Sequence, residues 1–361
     1  MRIVILGSVA LPVPPPMQGG TERIAYWQAT ELGKRKHNVT LIAAKGSKSD
    51  SMYSLVEIGG GDTVSGSVQS QTSTHEVFVE GSRNMRKELV YTAQVAQWLI
   101  DHKDSYDLIL NNMRSGESVL LPIAKFLHKP FVTVMHLPIF FELATLFDAY
   151  KTSIVTISQA QRQDFPDLNY VGTVYNATDL IELPYVVTPF NYFLMMGSIA
   201  PHKNQKDGIL AAKAMGTPIV LAGKIGNMDY WNNEIAPLVD GVTVIHKGEM
   251  GIEEKANLLG HARALLFPIR WPEPFGLVMI EAMATGTPVV AYKNGAIPEV
   301  VVDGQNGFIV DESSGVNGLV DAMKKIDTIS RSACRAHVEE HFSIPKMIDS
   351  LEHALALVAS V

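Results

Sequence analysis

Residues 270–292, RWPEPFGLVMIEAMATGTPVVAY, hold the side chains best suited to chemistry. Glu273 and Glu281 stand eight positions apart with a helix start between them. Pro272 and Pro274 make a loop that cannot join a strand ladder, and the helix formers from Leu277 to Ala284 then run to a stop at Gly286. A helix start presents free N–H groups. The amides of Phe275, Gly276 and Leu277, reached through Pro274, therefore suit a phosphate, and a carboxylate on either side could accept hydroxyl hydrogen bonds. Three other places invite a ligand. Gly19-Gly20-Thr21-Glu22 opens a helix, which lets a phosphate approach, although the spacing is not that of a dinucleotide fingerprint. His136 closes a strand, where ligands bind in open parallel sheets. Lys203, at another strand-to-helix edge, is a compact positive charge suited to a diphosphate.

These residues need a scaffold that delivers strand ends and helix starts together, and the chain reads that way. Strands are expected at Ile3–Leu6, Val39–Ala43, Asp107–Leu110, Phe131–Met135, Ser153–Ser158 and Gly172–Tyr175, with helices from Gly20 to about Lys34, Arg83–His102 and Glu117–Leu127. A second series runs through strands Phe193–Met196, Pro218–Ala222, Val242–Ile245, Ala264–Pro268 and Thr287–Tyr292, with helices Asn204–Met215, Tyr230–Leu238 and Glu253–His261 between them. Such βα alternation implies parallel sheets. Residues 180–189 hold two prolines and read as a linker, and the Ser-, Gly- and Gln-rich stretch from Lys45 to Thr74 reads equally as disorder or as a lid over an acceptor. The last helix, Pro345–Val358, carries a broad apolar face of Met347, Ile348, Leu351, Leu355 and Val358 that needs a partner.

E-x7-E alone is common, but with EPFG in front and A-x-G-T-P-V-V behind, the stretch resembles the signature of retaining nucleotide-sugar glycosyltransferases of family 4. The resemblance implies the GT-B fold: an α/β chain of two Rossmann-like parallel-sheet domains facing a central cleft, here 1–180 and 190–343, with a final helix of about 344–361 crossing back to the N-terminal domain. It further implies that Glu273 holds hydroxyls of the donor sugar, Phe275 to Leu277 bind the diphosphate by their amides, and Glu281 holds the ribose. By the same resemblance Gly19 and Gly20 touch the donor phosphates beside the acceptor, Glu22 follows less directly, and His136 lies near the donor sugar. The backbone of Lys247-Gly248-Glu249-Met250 would meet the base, with Gly223 and Lys224 at a comparable edge. Two departures stand out. Ala177 replaces a glycine in the turn of residues 174–179, and Ser198 replaces the arginine that would share the diphosphate with Lys203. Gly295 to Glu299 and the turn of residues 303–308 match the usual sequel and read as structural.

At 361 residues the chain exceeds what one core usually holds. A composition of 47% hydrophobic and 19% charged residues is globular, and a formal charge of −7 lends no support to a nucleic-acid surface. The single cysteine, Cys334, excludes an intrachain disulfide and a multi-cysteine metal site and suits the cytoplasm. The apolar run around Phe131 to Phe147 is broken by His136, Pro138 and Glu142, so no transmembrane segment is expected, while a peripheral membrane contact stays compatible.

The expected activity is therefore metal-independent, retaining transfer of a sugar from a nucleoside diphosphate sugar to a hydroxyl of a sugar, lipid or small-molecule acceptor, without a cofactor. Same-face attack, with the departing phosphate oxygen taking the acceptor proton, is the family expectation; a carboxylate nucleophile is the alternative. Protonated His202 is a candidate substitute for the missing arginine. A sugar-nucleotide epimerase, a phosphorylase and a catalytically weak sugar-nucleotide-binding protein are the competing readings, the last motivated by Ser198. Sequence leaves the sugar, the base and the acceptor open.

Overall fold

The computed structural model describes residues 1–16, 19–61, 63, 74–114 and 116–359 (for 74–81, the backbone only). The chain forms two compact units. The first comprises Met1–Ile157, Gln161–Val174 and the residues from Met347 onward. The second comprises Ser158–Ala160 and Tyr175–Lys346.

In the first unit, strands β1 (Arg2–Leu6), β2 (Asn38–Ala43), β3 (Ser54–Glu57), β4 (Leu108–Asn111), β5 (Phe131–Met135), β6 (Ser153–Thr156) and β7 (Tyr170–Thr173) form a parallel sheet in the order β3-β2-β1-β4-β5-β6-β7. β4 and β5 are buried along their whole length, as expected of strands covered on both faces by crossover helices. Helices α1 (Gly20–Lys34), α2 (Thr74–Asp101), α3 (Glu117–Phe126) and α4 (Phe141–Tyr150) make the crossovers. Of the stretch from Lys45 to Thr74, residues 62 and 64–73 lie outside the described residues; within the rest, Ser54–Glu57 forms the edge strand β3. Helix α4 was not expected from the sequence. Pro138 breaks the apolar run there, but the helix starts only beyond it, at Phe141.

The second unit repeats the scheme with β8 (Phe193–Met196), β9 (Ile219–Ala222), β10 (Val244–His246), β11 (Ala264–Phe267), β12 (Val289–Tyr292) and β13 (Gly307–Val310), parallel and ordered β10-β9-β8-β11-β12-β13. Helices α5 (Gln205–Ala214), α6 (Met228–Tyr230), α7 (Ile252–His261), α8 (Leu277–Ala284), α9 (Ile297–Val300), α10 (Gly315–Lys324) and α11 (Arg331–His341) connect them. The helix expected over Tyr230–Leu238 is irregular, a π turn at Trp231–Ile235 followed by a 3-10 turn at Ala236–Leu238. Pro237 accounts for the change, since it lacks the N–H that a continuing α-helix would use.

The last helix, α12 (Ile344–Ala359), begins in the second unit and from Met347 belongs to the first. Its buried face is Met347, Ile348, Leu351, Ala354 and Leu355. Glu352 on its other side pairs with Arg35 and, at 2.8 Å, with His37 beyond the end of α1. No helix among the described residues is long and apolar enough to cross a membrane.

Candidate functional site

In the second unit the carboxyl ends of the strands gather the candidate donor residues. The loop after β11 carries Trp271 and Glu273, and both are tied to the turn after β8. Lys203 Nζ donates to Glu273 Oε2 at 2.8 Å, and Trp271 Nε1 donates to the same oxygen at 3.0 Å. The Lys203 ammonium also lies 5.4 Å from the Trp271 ring centre and 5.6 Å from that of Phe267. The pair is well shielded, the side chains being 22% and 12% exposed, so it is strong and directional compared with a surface ion pair. The loop is pressed from behind by Gly295. Its φ is +51°, and a Cβ there would collide with the backbone of Glu273. The neighbouring Ala296 N–H donates to the Glu273 carbonyl at 2.9 Å.

Helix α8 follows at once. Gly276 caps it in the left-handed region at φ 84°, which suits glycine, and supplies no side-chain cap. In the first turn the Met279 N–H donates to the Gly276 carbonyl at 2.9 Å, and the N–H groups of Leu277 and Val278 keep their capacity for an outside acceptor. The Phe275 side chain is in the core, 6.2 Å from the Tyr175 ring and 5.7 Å from that of Phe342, so only its backbone remains for a ligand. Pro274 is buried too. Glu281, in the next turn, pairs with Lys255 of α7, both well shielded at 14% and 25% exposure.

At the ends of β8, β9 and β10, backbone hydrogen bonds hold three turns together. Ile199 N–H donates to the Lys224 carbonyl at 2.9 Å, and Gly223 N–H to the Gly248 carbonyl at 2.6 Å. Ser198, Gly223 and Lys247 therefore share one edge. Met250 just beyond is buried, and Lys247 makes a long 3.6 Å contact with Glu254. The turn holding Lys203 is fixed by buried Asn204, whose amide donates to Asp207 at 2.8 Å and to the Pro268 carbonyl at 3.0 Å. Asp207 also accepts from Tyr292 at 2.9 Å and Arg270 at 3.0 Å. Desolvation and the neighbouring Lys203 charge hold His202 below its ordinary pKa despite Glu273, which works against the protonated form that would stand in for an arginine.

The first unit holds the remaining candidates. Gly19 is the N-cap of α1, Gly20 its first residue, and Glu22 is buried within its first turn. His136, at the end of β5, donates or accepts through Nε2 at 2.9 Å from Asn112 Oδ1; since that oxygen only accepts, the nitrogen carries the proton. Asn112 in turn donates to Gln28 of α1 at 2.7 Å. Desolvation, helped by the Arg114 charge, pushes the His136 pKa down to about 3. Neutral His136 offers Nδ1 as an acceptor and cannot serve as a cation.

Thus Glu273 and Lys203 meet directly, Phe275 to Leu277 lead into α8, which carries Glu281, and Ser198, Gly223, Lys247 and Met250 line neighbouring strand ends. Gly19, Gly20 and His136 belong to the first unit. Sequence reasoning missed Trp271, although it stands inside the quoted stretch, and Lys255, for which the sequence holds no local signal. It also missed Asn112 and Arg114, which the strand-end rule applied to His136 would have flagged beyond β4.

Residues 186–336 match the family model for glycosyl transferases group 1. An uncharacterized glycosyltransferase of Methanocaldococcus jannaschii is 28% identical over 152 residues, 40% of this chain and 41% of the relative. The O-antigen chain mannosyltransferase RfbU of Salmonella typhimurium is 29% identical over 171 residues, 46% of this chain and 48% of the relative. The matched segments span less than half the length of either. Among solved structures, Anabaena Alr3699/HepE in complex with UDP and glucose superposes with a TM-score of 0.73 at 19% identity, covering 99% of each chain. The glycosyl transferases group 1 match thus covers most of the second unit, and over its full length the chain has the two-unit GT-B architecture of solved glycosyltransferases.

Proposed function

We propose that this chain transfers a sugar from a nucleoside diphosphate sugar to an acceptor hydroxyl, with retention at the anomeric carbon and without a metal ion. The observation that carries the reading is the Lys203–Glu273 contact immediately ahead of the α8 helix start. One ammonium and the amides that lead into α8 ahead of Met279 suit a diphosphate, and a carboxylate held beside them suits sugar hydroxyls.

In this reading the donor diphosphate lies against Lys203 and the first-turn amides of α8, which stabilise the charge that grows on the leaving oxygen. Glu273, oriented by Lys203 and Trp271, accepts hydrogen bonds from the sugar. Glu281, oriented by Lys255, accepts from the ribose. The bond from the anomeric carbon to the phosphate oxygen breaks, the acceptor oxygen bonds on the same face, and its proton passes to the departing phosphate oxygen. The lysine and the amide dipoles supply the charge neutralisation that makes a metal unnecessary. The name of RfbU, a mannosyltransferase, and the UDP-glucose bound to Alr3699/HepE make nucleoside diphosphate sugars of mannose and of glucose sensible first donors.

The test is a thermal-shift screen of nucleotide sugars followed by product analysis with a chelator present. A stabilising donor, released nucleoside diphosphate and a product of unchanged anomeric configuration are expected. An inverted product, or turnover abolished by the chelator, would overturn retention or metal independence respectively. Ser198 motivates the second reading, a sugar-nucleotide-binding protein, which predicts a stabilising donor with no turnover on any acceptor.

A further inference from the structure

A groove of about 690 Å³ lies within the second unit, lined by residues of the 180–189 segment and of helix α7, and the donor chemistry above gives it no role. Its lining is largely apolar, with Pro184 and Val186 from the segment and Ile252 and Ala256 from the helix. Carboxylates stand along both sides, Glu182 on the segment and Glu253 and Glu254 in the first turn of α7.

The two walls are pinned from behind. Arg331 donates to the Val186 carbonyl at 2.8 Å and to the Gly260 and Ala262 carbonyls at 2.6 and 3.1 Å, so one guanidinium ties the segment to the end of α7. Gly260 permits the close approach, since a Cβ there would meet Val186 Cγ2 at 2.6 Å. Further along, the Phe190 N–H donates to the His261 carbonyl at 2.8 Å, and the two rings stack 4.4 Å apart. Apolar surface that a fold keeps fixed, exposed and rimmed by charge marks an interaction site.

Charge and backbone together choose the occupant. Lys247 meets Glu254 only at a long 3.6 Å, so three carboxylates against one lysine leave the rim negative. That rim repels an anionic lipid surface, and the chain's formal charge of −7 sets a second copy against the first. Along the segment the backbone is already engaged. The Val186 N–H donates to the Thr285 carbonyl at 3.0 Å, and the Val186 and Leu183 carbonyls accept from Arg331 and Arg335. Side chains, not a strand edge, are left to do the recognising, which is the helix-in-groove mode. Helix α7 has ten residues and runs about 15 Å, the length of about three turns of a partner helix.

We infer that this groove seats a cationic amphipathic helix of another protein, its apolar side chains against Val186, Ile252 and Ala256 and its lysines or arginines against Glu182, Glu253 and Glu254. The inference stands whether or not the chain transfers sugar.

The experiment titrates the full chain into fluorescein-labelled helical peptides of about three turns, followed by anisotropy. A Leu/Lys amphipathic peptide should bind saturably and lose affinity as salt rises, while Leu/Glu and Ser/Lys peptides of the same length should bind roughly tenfold more weakly or worse. Glu182→Lys with Glu253→Lys should weaken the Leu/Lys peptide by about tenfold and strengthen the Leu/Glu peptide. Asp164→Lys with Asp167→Lys, the same change of net charge on the first unit, should alter neither. Ile252→Ser should weaken the Leu/Lys peptide, and hydrogen exchange with that peptide bound should slow over residues 180–190 and 252–261; these two readings decide the matter if the charge-reversed protein fails to fold. Equal affinity for the Leu/Lys and Leu/Glu peptides, or equal damage from the two charge reversals, would overturn the inference. So would spermidine displacing the peptide at equal concentration, which makes this a small-cation site. Binding to phosphatidylcholine vesicles with none to any peptide, or self-association that the groove reversal abolishes, would assign the groove to a membrane or to a second copy instead.

Discussion

Lys203 and Glu273, 70 positions apart in the chain, meet through a 2.8 Å contact. Strand β8 delivers the lysine and strand β11 the carboxylate, and these strands are neighbours in the sheet. The pair therefore reports on the fold and the chemistry at once.

Replacing Glu273 by Gln keeps the shape and one acceptor oxygen but removes the charge that the sugar hydroxyls meet. We expect turnover to fall by about 10²–10³, the size of loss typical when one preorganised electrostatic contact is removed. Nucleoside diphosphate affinity should stay nearly unchanged. Steady-state kinetics and calorimetry on the same preparation check both halves, and normal turnover would remove Glu273 from the reaction.

Lys203→Ala strands Glu273 in a shielded site and takes the cation from the diphosphate. A loss of roughly 1.5–3 kcal/mol in donor binding, about 10- to 150-fold, is expected. Adding Glu273→Gln to Lys203→Ala should recover part of the melting temperature and none of the activity. Ordinary donor affinity in Lys203→Ala would mean that the diphosphate is held elsewhere.

Glu281→Ala should weaken the nucleoside diphosphate by a similar amount, because a charge-assisted hydrogen bond to the ribose is lost. Lys255→Met, which frees Glu281 from its partner, should produce a smaller loss of the same kind. Calorimetry with a nucleoside diphosphate and with the matching free base tests this: the base should not distinguish the variants.

His202 sets a pH dependence. Its folded-state pKa is depressed, so the unfolded chain takes up the proton first as pH falls, and the group's contribution to stability is lost below its ordinary value of about 6.5. His136, pushed down to about 3, acts in the same direction. The melting temperature should therefore drop between pH 7 and 5, and His136→Asn should lessen the drop. Nucleotide-sugar affinity should be flat from pH 7 to 9. A steady fall through that range in the wild type but not in His202→Gln would show that His202 carries charge at neutral pH.

Much of this architecture is legible from the sequence because buried parallel strands read as short apolar runs, and both sheets announce themselves that way. Glu273, Gly276 and Glu281 are legible for a local reason: prolines, a glycine and a helix start fall within a dozen residues. What escapes is what depends on distant partners. The edge strand Ser54–Glu57 is only half-buried and sits among Ser and Gly, so its pattern is faint. Lys255 gains its role only by the packing of α7 against α8. Glu22 looks like an ordinary acid in a helix first turn, and only its burial beside Arg114 without a partner sets it apart.

The pairing of each donor-side lysine with a carboxylate, Lys203 with Glu273 and Lys255 with Glu281, has a kinetic consequence. An approaching dianion meets cations already neutralised by their neighbours, on a chain whose formal charge is −7. Long-range attraction is then weak, and capture should proceed at an ordinary diffusive rate of about 10⁵–10⁷ M⁻¹s⁻¹. Added salt, which slows steered encounters steeply, should leave this on-rate almost untouched and act instead on how long the sugar nucleotide stays.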